Sequence, residues 1–260
     1  MSEIRSPQGS SPNYIEIQDL RKSFGRQEVI KGVNLEIRRG ETFVIIGRSG
    51  EGKSVLLKLI LGILRADSGV VRVDGDEVTR LPERKLGPVR RKLGMLFQDG
   101  ALFDFMNVAR NVAFPLFEAG LRDRKEVLRR VEEALTQVEL EEHMAKMPIA
   151  LSGGMRKRVS LARAVVSKPE CVLYDEPTSG LDPVVADSII YLITKMKETH
   201  RLTSVVVTHD MKCAYRVADR IALFRKGQIY FLGTPEELKN NPDPVVQDFI
   251  QGRSQPRQLN

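Results

Sequence analysis

Gly47-Arg48-Ser49-Gly50-Glu51-Gly52-Lys53-Ser54 fits the pattern G-x-x-x-x-G-K-[ST] and decides how the rest of the chain reads. Its glycines let the backbone turn tightly enough to aim successive N–H groups at phosphate oxygens. Lys53 is placed to reach the β- and γ-phosphates of a nucleoside triphosphate, and the Ser54 hydroxyl to bind Mg²⁺. Both flanks agree. Thr42-Phe43-Val44-Ile45-Ile46 is a short, apolar, β-branched run predicted as a buried strand. Residues 54–60 continue as a helix whose positive end faces the phosphates.

Outward from this loop, short β-rich runs stand at 14–20, 33–37 and 70–73, and Asp74-Gly75 signals a turn. Between about 107 and 166 the period changes. Val127, Leu128, Val131, Ala134, Leu135 and Val138 recur at helical spacing, with Arg and Glu between them. Compact strand runs return at 171–174 and 204–207, separated by a helix over 184–199. Residues 221–225 and 228–232 predict a hairpin at Lys226-Gly227. Strands, a helical insert, then strands separated by a helix argue for an α/β nucleotide-binding core with a helical subdomain. The division is a domain at 14–251, with its core at 14–98 and 167–251 and helices at 99–166. It is flanked by a disordered leader at 1–13 and a frayed tail at 252–260.

With 260 residues and 42% hydrophobic content, the chain can bury a full core. No apolar run approaches the roughly 18–20 residues that cross a bilayer. The polar N-terminus has no hydrophobic stretch of the secretory kind. The two cysteines, Cys171 and Cys213, lie in apolar runs without metal-ligand spacing and read as small core residues in a reducing compartment. The net charge of +7 is spread over short basic runs such as Arg90-Arg91-Lys92 and Arg156-Lys157-Arg158. Most read as solvated surface, so charge nominates no partner.

Three more elements narrow the chemistry. In Cys171-Val172-Leu173-Tyr174-Asp175-Glu176 a buried strand delivers two carboxylates to its C-terminal end, where ligands sit in open α/β sheets. Asp175 is placed to hold Mg²⁺ or its waters, and Glu176 to polarise an attacking water as general base. Two surface acids ending a strand would read the same. Leu151-Ser152-Gly153-Gly154-Met155 precedes a helix over 156–166 that Ser152 can cap, with glycine N–H groups at its positive end. This is either an ordinary capped helix or a second phosphate site. Since Lys53 already serves one phosphate site, a second suggests another subunit's nucleotide. His209 follows the strand run at 204–207 and reads either as structural or as a sensor of the γ-phosphate.

Taken together these residues resemble the ATPase subunit of an ABC transporter. The phosphate loop, Gln98, Leu151 to Met155, the Asp175-Glu176 strand end, Ser179-Gly180-Leu181-Asp182 and His209 follow that family's order, and the likeness runs over about 14–233. It implies a P-loop NTPase (RecA-like) α/β core with an antiparallel β subdomain and an inserted helical subdomain. Phe24 matches the aromatic that stacks on adenine. Gly47, Arg48, Ser49, Gly50, Glu51, Gly52, Lys53 and Ser54 match the residues around the phosphates. Gln98 matches the residue that links core to helical lobe and touches Mg²⁺ and the attacking water. Ser152, Gly153 and Gly154 match the contacts to the opposite subunit's ATP, and Asp182 a contact to that subunit. Glu176, His209, Lys53 and Gln98 would then be catalytic, and Ser54, Gln98 and Asp175 would hold the metal.

The family implies ATP and Mg²⁺, a head-to-tail homodimer, an integral membrane permease, and a peripheral place on the cytoplasmic face of the inner membrane. It implies no nucleic acid. Met155 departs from the glutamine usual after LSGG. LSGGM, Phe97-Gln98-Asp99-Gly100-Ala101-Leu102-Phe103 and Asn241-Pro242-Asp243-Pro244 are similar to cassettes of the Mla/Mce-associated lipid transporters. That likeness implies phospholipid or other hydrophobic cargo and an MCE-domain partner. Rival readings are an ABC cassette for another cargo, an ABC-type ATPase acting on nucleic acid, and a P-loop kinase or switch.

Overall fold

The structure, a computed structural model, describes residues 12–253. In chain order it opens with β1 (Asn13–Phe24), β2 (Gln27–Arg38), β3 (Thr42–Ile46), α1 (Lys53–Ile60), β4 (Ser68–Val73) and β5 (Asp76–Glu77). Then come α2 (Glu83–Arg91), β6 (Leu93–Leu96), α3 (Val108–Glu118), α4 (Arg124–Gln137) and α5 (Gly153–Val165). The last third holds β7 (Cys171–Asp175), α6 (Pro183–His200), β8 (Thr203–Thr208) and α7 (Met211–Val217). It closes with β9 (Arg220–Arg225), β10 (Gln228–Gly233), α8 (Pro235–Lys239) and α9 (Pro244–Ile250).

Two sheets form. One is antiparallel in the order β2-β1-β4-β5; the other runs β10-β9-β3-β8-β7-β6 and is parallel except for the β9–β10 hairpin. Strands β3, β7 and β8 are buried at every residue, as parallel strands covered on both faces must be. Their side chains alternate between two cores. Val44, Ile46, Val172, Tyr174 and Val206 point into a core shared with α3, α4, α5 and α6. Phe43, Ile45, Leu173, Val205 and Val207 point into one shared with α1 and the antiparallel sheet. This period of two sandwiches the parallel sheet between helices and a second sheet, and leaves the strand ends free for chemistry.

The structure extends the sequence reading in several places. The antiparallel strands run through 24 and from 27, because register shifts near Asp19 and Leu20 break the alternation that periodicity detects. Asn13 is not leader but the first residue of β1, opposite Arg38; residues 1–11 of the leader lie outside the described residues. In the expected tail, Gly252 N donates to Phe249 O and Arg253 N to Asp248 O, so these two cap α9 rather than fray. Residues 254–260 lie outside the described residues. β6, only four residues with a glycine inside, was not legible. Nor was α2, which carries Pro88. Cys171 and Cys213 are fully buried as expected, and burial pushes the Cys213 thiol up to about 12. No helix among the described residues is long and apolar enough to cross a membrane.

Candidate active site

Four parallel strands end on one edge. β3 runs into the phosphate loop, β7 ends in Asp175 with Glu176 next, β8 ends at Thr208 before His209, and β6 stops two residues ahead of Gln98. The register sets Ile46 beside Thr208, Asp175 beside Val207, and Leu96 beside Tyr174. A cleft of about 430 Å³ opens there, lined by Ser49, Gly50, Gly52, Lys53 and Ser54 of the loop. Gln98, Glu176 and His209 form its far wall, and Phe24 closes it from the antiparallel sheet.

Within the loop the structure separates jobs that the pattern merges. Lys53 is 5% exposed, and its Nζ donates to Gly47 O at 2.7 Å and Arg48 O at 3.0 Å. Glu51 accepts from Arg48 N at 3.2 Å, bracing the loop. Gly47, Arg48 and Glu51 therefore shape the loop from behind and do not line the cleft. Burial pulls the Lys53 ammonium below its usual range, against the opposing pull of Glu176, Glu51 and Asp175.

Ser54 Oγ donates to Asp175 Oδ1 at 2.8 Å. Burial raises the Asp175 carboxyl, while this hydroxyl lowers it. A hydroxyl and a buried carboxylate are hard oxygen donors, the set that suits Mg²⁺ completed by phosphate and water. Among the described residues no group of three or more His, Cys, Asp or Glu forms a metal cage of its own.

Glu176 is the centre. Its Oε1 lies 3.7 Å from Lys53 Nζ and its Oε2 2.8 Å from His209 Nδ1. Oε2 also accepts from His209 N at 3.3 Å and Thr208 Oγ1 at 3.4 Å. The backbone at Glu176 is left-handed, φ 47°, a strained conformation for a side chain of this kind and one that clusters at functional sites. With Nδ1 turned to Glu176, Nε2 of His209 is left for the cleft, and the ring is half exposed.

Ser152, Gly153, Gly154 and Asp182 do not join this cleft. Ser152 is exposed and caps α5, accepting from Met155 N at 3.2 Å; the helix begins at Gly153, three residues earlier than its sequence pattern indicates. Gly154 packs so closely on α6 that an added Cβ would overlap Val185 Cγ1. Asp182 caps α6 through Val184 N and Val185 N, both at 3.1 Å.

Sequence reasoning missed Lys157. It lies in one of the short basic runs that read mostly as solvated surface, but it is 5% exposed, and its Nζ donates to Gln98 O and to Glu176 O. Arg90, also read as surface, is tied to Leu61 O at 3.1 Å and Gly62 O at 3.0 Å. Ser179, which lines the cleft, was noted only as part of a motif.

A phosphate loop at the carboxyl edge of a parallel sheet, with an Asp-Glu pair on the neighbouring strand, defines a nucleotide-hydrolysing P-loop protein. Residues 30–179 match the family described as ABC transporter, and the chain belongs to that family; it is an ABC ATPase.

It is 39% identical over 249 residues to the methionine import ATP-binding protein MetN of Brucella abortus, covering 95% of this chain and 67% of the relative. It is 42% identical over 250 residues to the probable ribonucleotide transport ATP-binding protein mkl of Mycobacterium leprae, covering 96% and 71%. Among solved structures, cbiO1 of Clostridium perfringens, described as part of the ABC transporter complex cbiONQ, superposes with TM-score 0.81 at 28% identity over 92% of this chain and 95% of that one. A dimeric post-hydrolysis state of the ATP-binding cassette MJ0796, bound to ADP and Pi, superposes with TM-score 0.79 at 32% identity over 85% and 98%. The mixed α/β cassette fold expected from the sequence is the fold observed.

Proposed function

We propose that the chain is the ATP-hydrolysing subunit of a membrane transporter, working as a head-to-tail pair with a separate permease. The observation that carries this reading is Glu176, suspended between Lys53 and His209 over the phosphate loop. In the closed pair, each ATP lies between the Lys53–Ser54 loop of one copy and Ser152 to Gly154 of the other. Ser152 and the glycines are absent from their own cleft, as that division requires. Phe24 stacks on the base, and Asp182 faces the second copy.

Ser54 and Asp175, with Gln98 beside them, would hold Mg²⁺, which neutralises charge on the phosphate oxygens when bound. Glu176 accepts a proton from water as the water oxygen bonds to the γ-phosphorus; the bond to the ADP oxygen breaks, releasing ADP and phosphate. Lys53 offsets charge on the phosphoryl group. His209 holds Glu176 through Nδ1 and offers Nε2 to the γ-phosphate. Closure on ATP and opening after hydrolysis drive the permease.

A second, larger cleft of about 550 Å³ lies between β6, α3 and α5, lined by Phe97, Phe103, Phe114 and Arg163 among others. Apolar, and one residue from Gln98, it suits a cytoplasmic element of a permease whose docking moves that loop. The described part of the chain joins the inner membrane peripherally, through that contact.

For cargo, LSGGM, the 97–103 segment and Asn241 to Pro244 support hydrophobic molecules handled with an MCE-domain protein. The names of the relatives favour a second reading, a small polar solute such as methionine or a ribonucleotide. Affinity purification from gently solubilised native membranes, with mass spectrometry, separates them. A multi-span permease with an MCE-domain protein bears out the lipid reading. A permease with a solute-binding protein overturns the cargo but keeps the ATPase; recovery with nucleic-acid machinery alone discards the transporter.

A further inference from the structure

Helix α5 carries three polar side chains at intervals of three residues, Lys157, Ser160 and Arg163, all buried on a helix whose other buried residues are mostly apolar. All three reach one loop. Lys157 Nζ donates to Gln98 O; the Ser160 hydroxyl is shared between Gly100 O at 2.8 Å and Arg156 O of its own helix at 2.9 Å. Arg163 reaches Gly100 O and Ala101 O, each at 2.7 Å. The loop needs such support, because Gly100 and Ala101 both have positive φ and lie outside any helix or strand, so no ladder serves their carbonyls. Lys157 has a second acceptor, Glu176 O at 3.2 Å, the carbonyl of the residue with the left-handed backbone. Burial pulls its ammonium below the usual range, against the opposing pull of Asp99, Asp175 and Glu176.

Burying an ammonium costs several kcal/mol unless it is hydrogen-bonded, and a leucine or methionine would pack this position at no such cost. The row is thus a poor way to stabilise a helix and an effective way to fix a loop. It ties the carbonyls of Gln98, Gly100 and Ala101 to α5, the helix that Ser152 caps, although in sequence they follow β6.

We propose that Lys157, Ser160 and Arg163 are positioning residues that transmit movement at the Ser152 end of α5 to Gln98, with Lys157 tying the same loop to the Glu176 backbone. The inference rests on the reading of Gln98, Glu176 and Ser152 as nucleotide-facing. The row lets engagement of the second copy's nucleotide be felt at the catalytic carboxylate without a contact between the two ligands.

The test is a double-mutant cycle on the purified full chain. Lys157→Met and Ser160→Ala are each made in the parent and in Gln98→Ala, with kcat, KM and affinity for a fluorescent ATP analogue measured. The expected result for Lys157→Met is kcat down about tenfold or more, with KM and analogue affinity within about threefold, and substantial recovery in Lys157→Arg. In the Gln98→Ala background the same substitution should cost at most about threefold, because the loop it holds no longer carries its side chain. Ser160→Ala, which deletes one oxygen, should follow the same pattern at about two- to fivefold, and decides the matter if Lys157→Met fails to fold. Equal losses in both backgrounds, or an unchanged kcat in the parent, overturn the coupling and leave the site reading standing. Full turnover in Gln98→Ala alone overturns the site reading, and the inference with it.

Discussion

The helix starts at Gly52 and Ser152 both follow the rule that anions gather at the positive end of a helix, yet they are built in opposite ways. At α1 the cap residue Gly52 sits at φ 109°, in a region that side chains avoid, and no side chain caps the helix. The N–H groups are left to a ligand, and Lys53 is folded inward to meet it. At α5 the cap residue Ser152 is extended and exposed and uses its own hydroxyl on Met155 N. The first start lies in a cleft with Glu176, His209 and Gln98; the second lies outside it. Under the proposed pairing, the first start is a complete binding site and the second is the half that one copy lends to the other.

Substitutions at the two starts should therefore fail differently. Lys53→Met removes the charge at the complete site, so turnover should fall about 10²–10³-fold and affinity for a fluorescent ATP analogue should fall with it. Ser152→Arg should cost turnover about as much while leaving that affinity within about twofold, since only the contact between copies is blocked. If Ser152→Arg abolished binding to the isolated chain, the two starts would belong to one site and the contrast would collapse.

Smaller effects sharpen the comparison. Phe24, 46% exposed on the cleft wall, should lose about 1–3 kcal/mol of nucleotide affinity on change to Ala, read by titration. Gly154→Ala would press a methyl into Val185, so urea unfolding should show a loss of about 1–3 kcal/mol with analogue affinity unchanged.

The complete site was more legible in the sequence than the half site. Lys53, Ser54, Asp175 and Glu176 announce themselves because the loop and the strand end are local patterns, and the compact, mostly apolar runs of β3, β7 and β8 fix where they must sit. Gln98 and Phe24 could be assigned only by likeness to a family, since a glutamine after a short strand and an aromatic at a strand end carry no chemistry of their own. The tertiary couplings were hidden. Lys157 sits in a run of three basic residues, and nothing local distinguishes the one that turns inward. The available signal was the i, i+3, i+6 row with Ser160 and Arg163, all three inside the helix expected over 156–166. The helix start was itself obscured, because two glycines in a first turn argue against a helix until their packing on α6 is seen.

The most direct test of the paired-site account is the solution mass of the Glu176→Gln chain with Mg²⁺ and ATP, measured by size exclusion with light scattering, alone and with Ser152→Arg added. Loss of the base should slow hydrolysis by about 10²–10⁴ and trap the closed pair, giving twice the monomer mass. The double variant should bind ATP and stay monomeric. A dimer that forms equally well with Ser152→Arg, or a Glu176→Gln chain that turns over ATP at the parent rate, would contradict the account.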